Sequence, residues 1–484
     1  MITVGALGAT LLPKECQHMP AASVSRRLAA RISAFRYQDL PADLVAQAKL
    51  YLLDTLGAML VASAPRYPAS RIMMRFVNEL GGVAESSLVG QGRKTSCVNA
   101  ALANGTLAYY CDIEPHHVGA ILHGPAVIVP TSLAVGEKQR ADGKRVLTSM
   151  VLGVEVAARV SYALDPVALY NRGFHPSAVC GAFGAAAAAG SLFRLNAERQ
   201  AVALGLAMQQ ASGLLAWASD PTEHSRPFNP GLAARNGTTA ACLARLGFGG
   251  PPAPFDGTYD AFTAFSGSSN PDALLEDWGQ RFHLPEFAYK LYSSCAFTHP
   301  GLDALLGLAA DLDLRAPDVE RIVLRFPKAG AHMIDGHPLK SHCAQYILPV
   351  GLVYGRVLID DILFDRQRNP EVARLSSSMT LVHDPTLDAS YPERYTSVVE
   401  LLLRDGRTVS RRVEFARGTR ENPLTADEVR AKYLRLTGPV VPRARAEAIM
   451  TAVDRLDKAR DLTPLVALLR QKTGGRTRTS RVAG

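Results

Sequence analysis

Residues 109–125 read YYCDIEPHHVGAILHGP. Asp112, Glu114, His116, His117 and His123 crowd into one short stretch of a chain otherwise rich in Ala, Leu and Gly. Three kinds of site suit these residue types. Carboxylates and imidazoles can ligate a metal, and zinc wants three or four such ligands. A histidine titrates near neutrality, and a carboxylate can fix its tautomer, which makes an acid–base site. The same residues can also form a polar loop that only caps neighbouring helices. The chain holds no HExxH and no second cluster with metal spacing. Pro115 also interrupts the helix that the Asp112–His116 spacing would need. No metal is therefore expected.

Three further polar islands accompany this one. In NRGFHPSAVCGAFGAAAAAG, His175 stands at the entrance of a small-residue helix, close to backbone N–H groups that lack partners and attract anions. In ASDPTEHSRPFNPGLAARNG, Arg226 offers a planar fork that fits a carboxylate. In AYKLYSSCAFTHPGLDALLGL, Lys290, Tyr292, Thr298 and His299 flank a change in the character of the chain. Each island also has a plain structural reading, as a helix cap or a surface loop. Together, each opening a small-residue helix, they point to a composite cleft where regions meet.

The elements that position these islands are mostly helices. DLPADLVAQAKLYLLDTLGAML has Asp39 and Pro41 at a helix start, followed by apolar residues at helical spacing, and Gly57 marks a close approach. SCVNAALANGTLAYY and GPAVIVPTSLAVGEKQ predict helices on either side of the histidine stretch, which Pro115 and Gly124 make a loop. The poly-alanine segment reads as an inner helix. VERIVLRF predicts a strand, and YTSVVELLLRDGRTVSRRVEFARG predicts two strands around an Asp405–Gly406 turn. CAQYILPVGLVYGRVL reads as a helix between strands. ENPLTADEVRAKYLRL returns to helix, with a capping box formed by Thr425 and Glu428.

The chain has 484 residues, 48% hydrophobic and 20% charged, an ordinary globular balance for a large core. Its cysteines, Cys16, Cys97, Cys111, Cys180, Cys242, Cys295 and Cys343, are scattered and form no CxxC, which suits reduced thiols in a cytoplasmic protein. The first residues lack the basic start of a secretory signal. Runs such as AFGAAAAAG read as too short and small-sided for a membrane span. The net charge of +9 raises the question of nucleic acid, but no zinc-finger spacing, RNP-like strand or aromatic–basic ladder appears. Much of the excess lies in RQKTGGRTRTSRVAG, expected to be a frayed tail. A positive balance suits a small anionic substrate equally well.

In order, LDTLGAML (53–60), AALANGT (100–106), the spaced Asp and His residues of 112–123, GFHPSAVCGAFGAAAAAG (173–190), RPFNPGLAARNG (226–237), GFGGP (247–251), THPGLDA (298–304) and ENPLTADEVRAKY (421–433) resemble the MmgE/PrpD family over nearly the whole length. The resemblance implies a mainly α fold. A large all-helical domain would be built from both chain ends (25–275 and 416–472), with a smaller α+β lid domain inserted (276–415) and a flexible basic tail (473–484). It implies a homodimer that needs no metal or organic cofactor. Asp112, His123 and His175 match the family's active-site positions, while His116 stands where threonine is common and Arg226 where lysine is usual. The aspartate-rich run is absent from DIEPHH, and FDGTYDAF (255–262) lacks a lysine common there.

The expected substrate is a small di- or tricarboxylic acid, and the expected enzyme a cofactor-independent lyase, foremost a hydro-lyase. His123 and His175 would transfer protons, Asp112 would tune one of them, and Arg226 would grip a carboxylate through paired hydrogen bonds. His116, Lys290, Tyr292 and His299 complete the expected binding surface. An epimerase, a decarboxylase or a non-catalytic binder of anionic metabolites are the alternatives.

Overall fold

The computed structural model describes residues 23–391 and 394–474. Cys16 and residues 475–484 of the expected tail lie outside the described residues. Thr473 and Gly474 do not behave as tail. The Thr473 hydroxyl lies 3.1 Å from that of Ser63, and the Gly474 N–H donates to the Val440 carbonyl at 3.0 Å.

The protein is mainly helical. The body comprises α1 (Val24–Ala34), α2 (Ala42–Ala62), α3 (Pro68–Leu80), a short ribbon of β1 (Ser86–Ser87) and β2 (Lys94–Thr95), α4 (Cys97–Tyr110), α5 (Gly124–Lys138), α6 (Gly143–Leu164), α7 (Pro166–Asn171), α8 (Pro176–Phe193), α9 (Ala197–Met208) and α10 (Ser225–Leu246). A sheet region follows with α11 (His299–Asp311), β3 (Val319–Pro327), α12 (Lys328–Ala331), α13 (Ala344–Tyr354), α14 (Ile359–Leu363), α15 (Pro370–Ser378), β4 (Thr380–Asp384), β5 (Ser397–Leu403) and β6 (Thr408–Val413). The chain then forms α16 (Ala426–Thr437), α17 (Arg443–Asp454) and α18 (Thr463–Arg470).

Two apolar cores divide the side chains. One gathers residues from Leu28 to Tyr289 together with Val429 to Leu469, so the last helices pack on the first ones. Leu284, Phe287 and Tyr289 belong to it, although they follow residue 276. The other core runs from Leu302 to Leu403. Its sheet has the order β4–β3–β5–β6, with β5 and β6 an antiparallel hairpin around Gly406, whose φ of +86° favours glycine. Sequence reasoning did not foresee β4. It pairs parallel to β3, and parallel neighbours need a long crossover, which α12 to α15 supply.

Two close approaches fix the body. A Cβ on Gly57 would lie 3.1 Å from the Tyr433 ring, so the bare face of α2 admits α16. The neighbouring Lys432 then reaches Asp54 at 2.7 and 2.9 Å, with both side chains within 1% of full burial. At Gly184 a Cβ would meet the Gly153 carbonyl oxygen at 2.5 Å, so α6 and α8 cross nearly backbone to backbone. The poly-alanine run proves to be part of α8, an 18-residue helix. By length and composition α8, α2 and α6 are each long and apolar enough to cross a membrane, which corrects the sequence estimate. Their apolar windows are 89%, 78% and 94% buried inside the protein.

Candidate active site

The histidine loop, residues 111–123, is fixed at both ends and in the middle. Asp112, just beyond α4, lies in the left-handed region (φ +49°), and Ile121, β-branched, also has φ +48°. Such backbone persists only where its surroundings enforce it. Lys432 donates to the Ile113 carbonyl at 2.7 Å, so the returning α16 holds the loop from below. His116 exchanges both backbone hydrogen bonds with Ala288, at 3.0 and 2.8 Å. That bridge carries Lys290 to Asp112, where its ammonium lies 2.5 Å from Oδ1.

His123 and His175 occupy equivalent places, immediately before the first residues of α5 and α8. In both helices a proline in the first turn removes an N–H that would lack a partner. The His123 N–H donates to the Ser177 hydroxyl at 2.9 Å, which ties the two helix starts together. The ring centroids of His123 and His175 are 6.5 Å apart, and His116 lies 4.5 Å from His123.

A cavity of about 630 Å³ opens between the body and the sheet region. Asp112, His116, His123, His175 and Trp217 line it from the body, with Lys290 and His342 facing them. His299 lines a smaller adjoining pocket that shares His116 and Lys290, and its Nε2 lies 3.3 Å from the Ser294 carbonyl. Tyr292 lines neither space, because its hydroxyl donates to Asp303 at 2.7 Å. Arg226 stands behind the wall. It packs over the Tyr109 ring at 4.8 Å and approaches Asp112 Oδ1 at 3.4 Å. Arg226 does not line the cavity, so the expected direct fork on a substrate carboxylate is not formed there, and its Nε and Nη1 are buried without hydrogen-bond partners among the described residues.

Asp112 makes no hydrogen bond to a histidine among the described residues, but its charge favours the protonated forms of His123 and His175. Burial pushes the Asp112 carboxyl up, but Lys290 and Arg226 outweigh burial and hold it well below the usual carboxylate range. The partner of His123 is Glu114, with Oε1 2.7 Å from Nδ1, and Glu114 is fully buried. Burial drives the Glu114 carboxyl up to about 8 and the His123 imidazole well below its ordinary value. Burial thus disfavours the charged form of both partners. A proton held on the carboxyl and directed at Nδ1 leaves His123 with an N–H at Nε2. Burial also pushes His175 and His342 down to about 3, and both are neutral in the empty cavity.

Two groups of side chains have metal-like proximity. Asp112, Glu114 and His123 bring ligand atoms within 4.8 Å of one another, as do His117, His283 and Glu286. In the first group Lys290 and Arg226 already bring two cations to Asp112. In the second, the Ala120 N–H donates to His117 Nδ1 at 3.3 Å, so Nε2 carries the proton it directs at Glu286. That nitrogen has no lone pair to offer a cation.

His342 and Trp217 were missed from the sequence. His342 does carry a readable signal, since it stands next to an apolar helix start in SHCAQYILP, as His123 and His175 do.

The MmgE/PrpD N-terminal domain matches residues 26–274, and the MmgE/PrpD C-terminal domain matches residues 292–458. A cis-aconitate decarboxylase-like protein of Aspergillus oryzae is 28% identical, over 93% of this chain and 98% of its own length. The cis-aconitate decarboxylase of Aspergillus terreus is 27% identical, over 89% and 92%. A mitochondrial 2-methylcitrate dehydratase of Yarrowia lipolytica is 24% identical, over 84% and 82%. Since the two matched domains cover most of its length, the chain belongs to the MmgE/PrpD family.

Proposed function

We propose that the protein is a lyase acting on a small di- or tricarboxylic acid, with the Glu114–His123 pair as its proton donor. The Glu114–His123 pair carries this reading, with His123 on the cavity wall and Glu114 fully buried beside it. As His123 gives up the Nε2 proton, Nδ1 receives the proton of Glu114, so the imidazole stays neutral throughout. The negative charge ends on Glu114, where Lys290 is close enough to favour it. Lys290 lines the cavity with its ammonium on Asp112 and offers a positive charge to an entering carboxylate. Asp112 holds the ammonium of Lys290 at a fixed point, so the binding charge is preorganised.

One donor serves two eliminations. In loss of water it protonates the departing hydroxyl, and in loss of carbon dioxide it protonates the carbon that keeps the bonding electrons. Loss of water is the leading reading, because imidazoles stand on both walls of the cavity. Loss of carbon dioxide is the second, favoured by the likeness to cis-aconitate decarboxylases over about nine-tenths of the chain. Purified protein incubated with citrate, 2-methylcitrate, malate and cis-aconitate in heavy water and followed by proton NMR separates them. Appearance of an olefinic product from a hydroxy acid supports dehydration, and release of carbon dioxide from cis-aconitate supports decarboxylation. Unchanged spectra throughout would refute the lyase assignment.

A further inference from the structure

Of the histidines that line the cavity, His123, His175 and His342 each have a fixed partner at Nδ1, whereas Nδ1 of His116 has none, and Nε2 of each of those three makes no hydrogen bond among the described residues. The partners differ in kind. Nδ1 of His123 accepts from the Glu114 carboxyl. Nδ1 of His175 faces the Asn229 amide nitrogen at 3.5 Å, and that nitrogen also donates to the Leu214 carbonyl at 3.2 Å, which orients the amide. Both body histidines therefore carry their proton on Nε2.

His342 is wired the other way. The Ser341 hydroxyl donates to Glu223 Oε2 at 2.7 Å, and the Ser341 N–H donates to Oε1 at 3.2 Å. With its proton committed to Glu223, the Ser341 oxygen can only accept from His342 Nδ1, 2.9 Å away. Nε2 of His342 is then left with a lone pair. Glu223 belongs to the body and holds φ +56°, a costly conformation for a residue with a side chain. It reaches across to the sheet region and is buried, only 7% exposed. Trp217 touches both histidines, with ring centroids 5.3 Å from His342 and 6.0 Å from His175.

We propose that His342 is the catalytic base of this cavity, held in its accepting tautomer by the positioning residues Ser341 and Glu223, opposite in polarity to the donor His123. This inference rests on the dehydration reading. Nε2 of His342 takes the proton from the carbon next to a substrate carboxylate, and that C–H electron pair becomes the new C=C bond. The C–O bond on the adjacent carbon breaks, and the departing oxygen takes the Nε2 proton of His123 and leaves as water. His123 Nδ1 receives the proton of Glu114. The cycle ends with His342 protonated and Glu114 ionised, and a proton returned through solvent restores both.

The test uses the full-length enzyme with citrate and 2-methylcitrate in heavy water, read by proton NMR. His342→Gln should lose both water elimination and solvent exchange of the proton beside the carboxylate, by roughly 100-fold or more. His342→Asn should do the same, and both variants should keep the native melting transition. Glu223→Gln offers Ser341 an amide donor and reverses the relay, so kcat should fall while KM holds. If water is eliminated but His342→Gln stays within about threefold of the parent, the base assignment fails and the dehydration reading stands. If the parent releases only carbon dioxide, or exchanges no proton with solvent, both fail.

Discussion

Glu114 and Glu286 both face histidines, and they end in opposite states. Glu114 is fully buried with one imidazole beside it, and burial pushes its carboxyl up to about 8. Glu286, at the pocket mouth, is also pushed up by burial, but His117 and His283 at 3.0 and 3.1 Å and Arg281 at 2.8 Å outweigh it. Its carboxyl is held far below the usual range. The same residue types thus make a neutral proton store in one place and a charged tether in the other. The number of donors decides between them.

The largest effect should come from the wall of the cavity. His123→Gln or His175→Gln removes an imidazole while keeping most of its volume, and turnover should fall by roughly 100-fold or more. Near-normal turnover in both would make the two helix-entrance histidines mere caps. Next comes the support below. Lys432→Met strands the buried Asp54 carboxylate, which should cost about 3–5 kcal/mol of stability by denaturant titration. The double variant Asp54→Leu/Lys432→Met should recover most of it, and an unchanged midpoint in the single variant would contradict the pairing.

Glu114→Gln sharpens the contrast with Glu286. The amide can still donate to His123 but cannot ionise, so rates at pH 7 should drop about tenfold through loss of the stored proton. The parent's activity should decline as pH rises through about 8, and the variant should lack that limb. Stability follows the same sign. The folded carboxyl holds its proton up to about 8 while an unfolded one releases it near 4.3, so its contribution is full below the lower value and lost as pH rises through the upper. The smallest effect should be Glu286→Gln, within about threefold in turnover, since part-exposed ion pairs contribute little. A loss as large as that of His123→Gln would erase the distinction.

Much of this arrangement is legible in the sequence where the signal is local. The helices around the histidine loop, the Gly57 contact, the Asp405–Gly406 hairpin and the Thr425–Glu428 capping box all rest on residues a few positions apart. So does the place of His123 and His175 at helix entrances. What escaped is long-range. Lys290 meets Asp112 across 178 positions, Glu223 meets Ser341 across 118, and Lys432 meets Asp54 across 378. No local pattern marks such partners. Asp112 therefore looked like the carboxylate for a histidine, although cations claim it, and Glu114 looked like loop polarity beside a proline. Arg226 looked like a substrate clamp because the Tyr109 ring in front of it is a tertiary feature.

His175 takes no part in the proton transfers proposed above, and it should gain charge when carboxylates enter, because nearby negative charge raises its pKa from about 3 toward neutrality. Calorimetric titration with tricarballylate, a tricarboxylate with no hydroxyl to lose, measures this directly at pH 7 in buffers of different ionisation enthalpy. Net proton uptake is expected on binding, cut by about half or more in the His175→Gln variant. Binding with no uptake, with proton release, or no binding at all would contradict a cavity built for a polycarboxylate.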